Sequence, residues 1–323
     1  MLIKYNPRSF LTGDDAFLPT QAVEASDTRV EEQLVFAPEH EGFLGIPHGG
    51  LAMGLCLDAW RRIGEPSYPA QVRFKFGGSG ISIGDTACFT VERGTSDEQP
   101  RVLARLTKNG DKTPYLRAEI APYSDGSQSK MVPAPVVEAG RPLPYYRNCF
   151  VCGHHRSVVG LLRRFRVHES NGDFVTTTPW GYDEDDIDRA RYFLIGEEEL
   201  HPAALISIFD ENTAWGGFML TRAAGLSVRL DVTLWRPVSI YEKLLFVGAP
   251  VGTRGNPRAP RFFVAEGTVL SMADPQRPEP VAHGRGEWII MDLYTEQIKK
   301  NLLPDNDWAW IFGDGKVLST GLD

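Results

Sequence analysis

The chain has 323 residues, 34 Lys and Arg against 42 Asp and Glu, and a formal net charge of -8. That balance weighs against a nucleic-acid partner, which calls for a basic footprint, although a local basic patch would still suit a small phosphorylated ligand. No apolar run reaches the roughly 18 residues of a membrane span, and the opening MLIKYNPRSFLTGDD lacks the apolar centre of a signal peptide.

In chain order, the first 28 residues show no period and read as an irregular leader. Thr28 to Phe36 alternates as a first strand. After a turn-rich loop, His48-Gly49-Gly50 opens a helical pattern with Leu51, Leu55 and Ala59 on one face. The small residues Ala52 and Gly54 mark it as a buried helix closely wrapped by its neighbours. Gln71 to Phe76, Asp85 to Arg93, Arg101 to Lys108 and Tyr115 to Ile120 alternate between turn residues, the pattern of an antiparallel meander. The Pro-, Ser- and Gly-containing stretch that follows, 125–144, reads as a linker.

The remainder repeats the plan. Leu161 to Val167 and Asp173 to Thr178 read as strands, followed by an acidic insertion, Trp180 to Leu200, that has no counterpart earlier and is placed to act as a lid. His201 then opens a second buried helix, HPAALISIFDENTAWGG. Strands follow at Ser227 to Trp235, Lys243 to Ala249, Arg261 to Ser271 and Val281 to Met291. A short helix and a Trp-containing tail close the chain. The expected units are 1–124, the linker 125–144, 145–292, and a tail 293–323. The four cysteines (Cys56, Cys88, Cys149 and Cys152) are expected as reduced thiols in a cytoplasm.

Strand, buried helix starting at His-Gly-Gly, then a long antiparallel meander is an order that resembles the hotdog fold, and here it occurs twice. Arg236-Pro237 before Val238-Ser239-Ile240 is similar to a turn of that superfamily. Asn148 to Gly153, NCFVCG, resembles an opening found in some thioesterase-like members. The resemblance implies an α+β chain of two tandem hotdog units, each an antiparallel sheet wrapped around a central helix, joined as a pseudo-dimer. It also implies chemistry on acyl thioesters, with helix-start amides at His-Gly-Gly as oxyanion donors. An acid nine residues after the His comes from the opposite unit.

Carried onto this chain, the pattern splits. Asp210 stands nine residues after His201, but Pro202 and Ala203 replace the glycines, and proline has no N–H to donate. His48-Gly49-Gly50 is intact, but nine residues on stands Leu57. Asp58 is one position further, about 100° around the helix. The expectation is therefore one composite site, with His48, Gly49 and Gly50 at the helix start and Asp210 as base or nucleophile. His201, Ser207, Glu211, Asn212 and Thr213 are the substrate-binding candidates. Both histidines read as caps of their helix starts rather than as bases. The plainer alternative for Asp210 is a structural hydrogen bond inside an apolar helix.

Other features give less. Cys149-x-x-Cys152 with His154 and His155 has metal-like residue types, yet two adjacent histidines poorly complete a tetrahedron, so no metal is expected. Arg147, Arg156, Arg163, Arg164 and Arg166 are candidates for coenzyme A phosphates or simply a solvent-facing strand. Phe209, Trp215 and Phe218 line an acyl pocket or fill core. The reading is an acyl-CoA or related thioester hydrolase with no cofactor beyond the coenzyme A of its substrate. It has no nucleic-acid or membrane partner, and the pseudo-dimer is expected to associate further as a homo-oligomer. Two alternatives stay open: a non-catalytic acyl or acyl-CoA binding protein, and an enoyl-thioester hydratase or dehydratase.

Overall fold

The computed structural model describes residues 16–26, 28–63, 67–78, 80–94, 101–123, 140–158, 160–170, 173–182, 184–190, 193–256, 259–304 and 308–313. The first half of the sheet is an exposed edge strand followed by five strands whose alternate residues turn inward. These are β1 (Thr20–Ala25), β2 (Arg29–Val35), β3 (Ala70–Phe76), β4 (Thr86–Arg93), β5 (Val102–Lys108) and β6 (Leu116–Pro122). In β3, for example, Val72 and Phe74 are buried while Arg73 and Lys75 face solvent. The second half adds β7 (Arg141–Pro142), β8 (Arg166–Ser170), β9 (Asp173–Trp180), β10 (Gly225–Leu234), β11 (Leu244–Asn256), β12 (Ala259–Ser271) and β13 (Glu279–Ile290).

All thirteen join one sheet in the order β1-β2-β4-β5-β6-β3-β10-β13-β12-β11-β9-β8-β7. The series β2-β4-β5-β6-β3 and β9-β11-β12-β13-β10 are the same meander written twice. They meet where β3 and β10 run antiparallel, Val72 opposite Val232 and Lys75 opposite Arg229. Helix α1 (Gly49–Ile63) is held by the first meander. A short α2 (Glu184–Ala190) lies in the acidic insertion, and α3 (Pro202–Thr221) is held by the second meander. Every residue of α3 is buried, the mark of a helix enclosed by core on all sides. No helix among the described residues is long and apolar enough to cross a membrane. This is the α+β tandem hotdog architecture, with the two helices packed against each other and one continuous core spanning both halves.

Four local expectations change. The leader contributes strand β1, paired with β2; residues 1–15 lie outside the described residues. Of Leu161 to Val167, only the last two residues join a strand, because Leu162 takes a left-handed backbone (φ 50°) that interrupts extension. Residues 124–139 of the expected linker lie outside the described residues, and Arg141–Pro142 beyond them is the sheet edge against β8. The acidic insertion is tied down rather than poised: Asp186 is buried and bonds Arg163, and Glu199 pairs with Arg61 at 2.7 Å. At the end of the described chain, α4 (Asp292–Lys299) and the buried Ile311 and Phe312 pack back on the core.

Candidate functional site

The two helix starts follow one hydrogen-bond plan. His48 Nδ1 accepts from Gly50 N at 3.0 Å, and His201 Nδ1 accepts from Ala203 N at 3.0 Å. Each histidine therefore satisfies one of the amides that a helix start leaves without an intrahelical partner. The other ring nitrogen reaches across to the opposite helix. His48 Nε2 lies 3.2 Å from Glu211 Oε2, and His201 Nε2 lies 3.0 Å from Asp58 Oδ1. Glu211 and Asp58 stand at the same place in their copies, ten residues after His201 and His48. Asp58 is thus the counterpart of Glu211, and the one-residue offset that turns it away from the Leu57 position aims it at His201.

Around His48 the structure opens a cavity of about 520 Å³. Its walls are largely aromatic: Phe43, Phe76, Tyr115, Phe218, Phe262 and Trp288. Its polar floor is His48, Gly49, Asp210, Glu211 and Ser227. Asp210 comes from α3 and Gly49 from α1, so the floor is shared between the halves. Ser227 donates to Asp210 Oδ1 at 2.9 Å. Asp210 Oδ2 faces Gly49, where an added Cβ would lie 3.3 Å from that oxygen and 3.5 Å from Phe76. Glycine here keeps the carboxylate and the first helical amide open to each other. Burial pushes the Asp210 carboxyl up to about 6, against the opposing pull of the Ser227 hydroxyl.

Ser227 owes its position to a β-bulge. The β10–β13 register slips between Ser227 and Arg229, and both Ser227 and Val228 line the cavity. A bulge of this kind has no signature in alternation, so sequence reading passes over Ser227. Cys149 is the other unforeseen member. Its buried Sγ donates to Glu211 Oε2 at 3.0 Å and accepts from Val151 N.

The remaining candidates separate. Glu211 lines the cavity, whereas Ser207, Asn212 and Thr213 point away from it. Ser207 Oγ donates to Ala203 O at 2.7 Å, and its Cα is where a Gly50 Cβ would fall, at 2.3 Å. Gly50 is therefore the close contact of the two helices, and its amide is already taken by His48. Asn212 O accepts from Thr176 on β9, and Thr213 packs against Gly267. His201 belongs to the second helix start. There Asp58 also pairs with Arg62 at 2.9 Å, and Arg62 reaches Glu32, filling the space with charge. Phe218 lines the cavity; Phe209 and Trp215 are core.

His48, Cys149 and Glu211 place ligand-type atoms within 4.8 Å of one another, but the set does not fit a metal. With Nδ1 accepting from Gly50, the ring proton of neutral His48 sits on Nε2, the nitrogen that would have to supply a lone pair. His154 and His155 sit apart, against Tyr145. Of the arginines considered for phosphates, three are tied to the protein itself: Arg163 bonds Leu161 O and Pro179 O, Arg166 bonds Gly140 O at 2.8 Å, and Arg164 covers the Tyr145 ring.

No protein-family model matches the chain, and no curated protein matches it. Solved structures do. The tesB protein of Mycobacterium avium subs paratuberculosis is 15% identical over 84% of this chain and 96% of its own, with a TM-score of 0.54. Acyl-CoA thioesterase II TesB2 from Mycobacterium marinum is 15% identical over 84% of this chain and 95% of its own, with a TM-score of 0.52. At such identities the likeness is one of fold, and the fold is the tandem hotdog.

Proposed function

We propose that the chain hydrolyses an acyl thioester of coenzyme A or a related carrier at this one composite site. The observation that carries the reading is Asp210 Oδ2 facing the Gly49 helix start across the two halves, inside an apolar cavity. An acyl group would lie among Phe76, Phe218 and Trp288, its carbonyl oxygen toward the Gly49 amide. That amide sits at the positive end of α1 and is suited to a developing oxyanion. Asp210 would then take the proton of the water that attacks the carbonyl carbon and pass it to the departing thiolate, or attack that carbon itself, the thiolate leaving with a proton from solvent and water then hydrolysing the acyl anhydride. Ser227 holds Oδ1 and so presents Oδ2. A carboxyl raised to about 6 is ionised near neutral pH yet more basic than an exposed aspartate.

The reading needs no cofactor beyond the coenzyme A of the substrate and no metal. Buried free thiols suit a reducing cytoplasm. The hydratase alternative weakens, because both nitrogens of His48 are occupied and neither is free to move a proton to a substrate. The test is thiol release from short, long and aromatic acyl-CoAs. Release that collapses in Asp210→Asn supports hydrolysis. Acyl-CoA binding with no release from any substrate would instead make the protein a binder.

A further inference from the structure

On the outer face of the sheet, directly across the junction of the halves, four cations stand in one row. Arg105 on β5 is opposite Arg117 on β6, Arg117 is opposite Lys75 on β3, and Lys75 is opposite Arg229 on β10. All four side chains are exposed. Adjacent strands lie about 4.8 Å apart, so the row extends about 14 Å. Like charges placed directly opposite each other weaken a sheet, and this row does so three times over on a chain of net charge -8.

The neighbouring acids do not neutralise the row's centre. Glu119 pairs with Arg101 at 3.1 Å and Glu287 with Arg254 at 2.7 Å. Asp231 pairs with Arg229, and Glu92 with Arg105, at the two ends of the row. Among the described residues no ion pair involves Lys75 or Arg117. With Arg73 and Lys112 the row lines a groove of about 830 Å³. Val228, the bulge residue beside Ser227, lines both this groove and the acyl cavity. An anion on the row therefore sits at the cavity's margin.

We propose that this row binds the phosphate groups of the thioester's nucleotide carrier, coenzyme A, while the acyl end enters the cavity past Val228. The inference rests on the hydrolase reading for the choice of carrier. The polyanion itself follows from the row: separated phosphates spread over about 14 Å offset a repulsion that the fold otherwise carries without return.

The test uses the full chain, with Lys75→Glu, Arg117→Glu and the neutral Lys75→Met. Titration calorimetry with adenosine 3′,5′-bisphosphate should show binding that each charge reversal weakens at least about tenfold, the loss of one charge-assisted contact or more. In turnover, KM for an acyl-CoA should rise about as much with kcat little changed. The same acyl group on N-acetylcysteamine, which has no phosphate, should not register the substitutions. Melting temperatures should hold or rise, since repulsion is relieved. Bisphosphate binding that is absent, or indifferent to the reversals, overturns the proposal. So does a loss confined to an acidic carrier-protein thioester. Bisphosphate binding that depends on the row with no thioester turned over would keep the groove and remove the hydrolase.

Discussion

The two helix starts share a scaffold and differ in what they leave open. In both, a histidine caps its own helix and binds an acid ten residues into the other. Around His201 that acid, Asp58, is met by Arg62, and the position one residue earlier is Leu57. Around His48 the acid, Glu211, is met by a thiol, and the position one residue earlier is Asp210, buried with Ser227 as its donor. One end is closed by charge pairing; the other keeps a carboxylate in an apolar cavity. A duplicated fold can thus hold the symmetric histidine–acid pairs as its frame while one copy of the adjacent position carries chemistry.

The comparison breaks most violently at Asp58. Asp58→Ala would take from His201 and Arg62 the buried carboxylate they share, and losing one side of a buried pair costs about 3–5 kcal/mol. Chemical denaturation should show that loss, with the activity of the surviving folded protein near wild type because the His48 end is intact. The two acids also respond oppositely to pH. Burial alone would raise the Asp58 carboxyl, but His201, Arg62 and Arg61 hold it below its usual value. Its contribution is present above the unfolded carboxyl's range and lost as pH falls through the lowered folded value. Asp210 is raised to about 6, so its protonated form is favoured by folding and stability falls as pH climbs from about 4 to 6.

Asp210→Asn is next in size. Turnover should drop about 10²-fold or more, and Leu57→Asp added to it should restore nothing, since Pro202 has no N–H to offer an oxyanion. Rescue by Leu57→Asp would mean the two ends are equivalent after all. The same Asp210→Asn change should stabilise the protein at pH 8 and be neutral below about pH 4, where Asp210 is protonated folded or unfolded. Gly50→Ala is smaller: a Cβ 2.3 Å from the Ser207 Cα requires backbone movement, for about 1–3 kcal/mol of overpacking.

The duplication and the paired helices were legible because spacing repeats, whereas Asp210 opposite His48-Gly49-Gly50 followed from the resemblance to the thioesterase-like hotdog pattern, which puts the acid nine residues after the histidine on the opposite helix. Nine residues after each histidine is a comparison that any two copies allow. The histidine–acid frame was equally present, at ten residues, but a single helix offers no reason to prefer that offset. Only two helices starting at each other's flank give it meaning. Residues such as Ser207, Asn212 and Thr213 follow the right helix on the wrong face, because a helix buried all round has no polar side to mark the cavity. Ser227 and the Arg105–Arg117–Lys75–Arg229 row depend on register across strands, which alternation along one strand does not fix.

Ser227→Ala sharpens the comparison with the smallest change. The hydroxyl stabilises the charged carboxylate, so its loss should move the Asp210 carboxyl further above about 6. Activity depends on the ionised form, so the acid limb of the pH–rate profile should shift to higher pH. At pH 8, where the carboxylate is charged in both proteins, the rate should fall only severalfold, about the value of one ordinary hydrogen bond. A shift in the limb separates Ser227 as the residue that positions and charges Asp210 from a serine that merely fills space. An unmoved limb with the same severalfold loss would place the base elsewhere, with Glu211, the cavity's other carboxylate, the group to replace next.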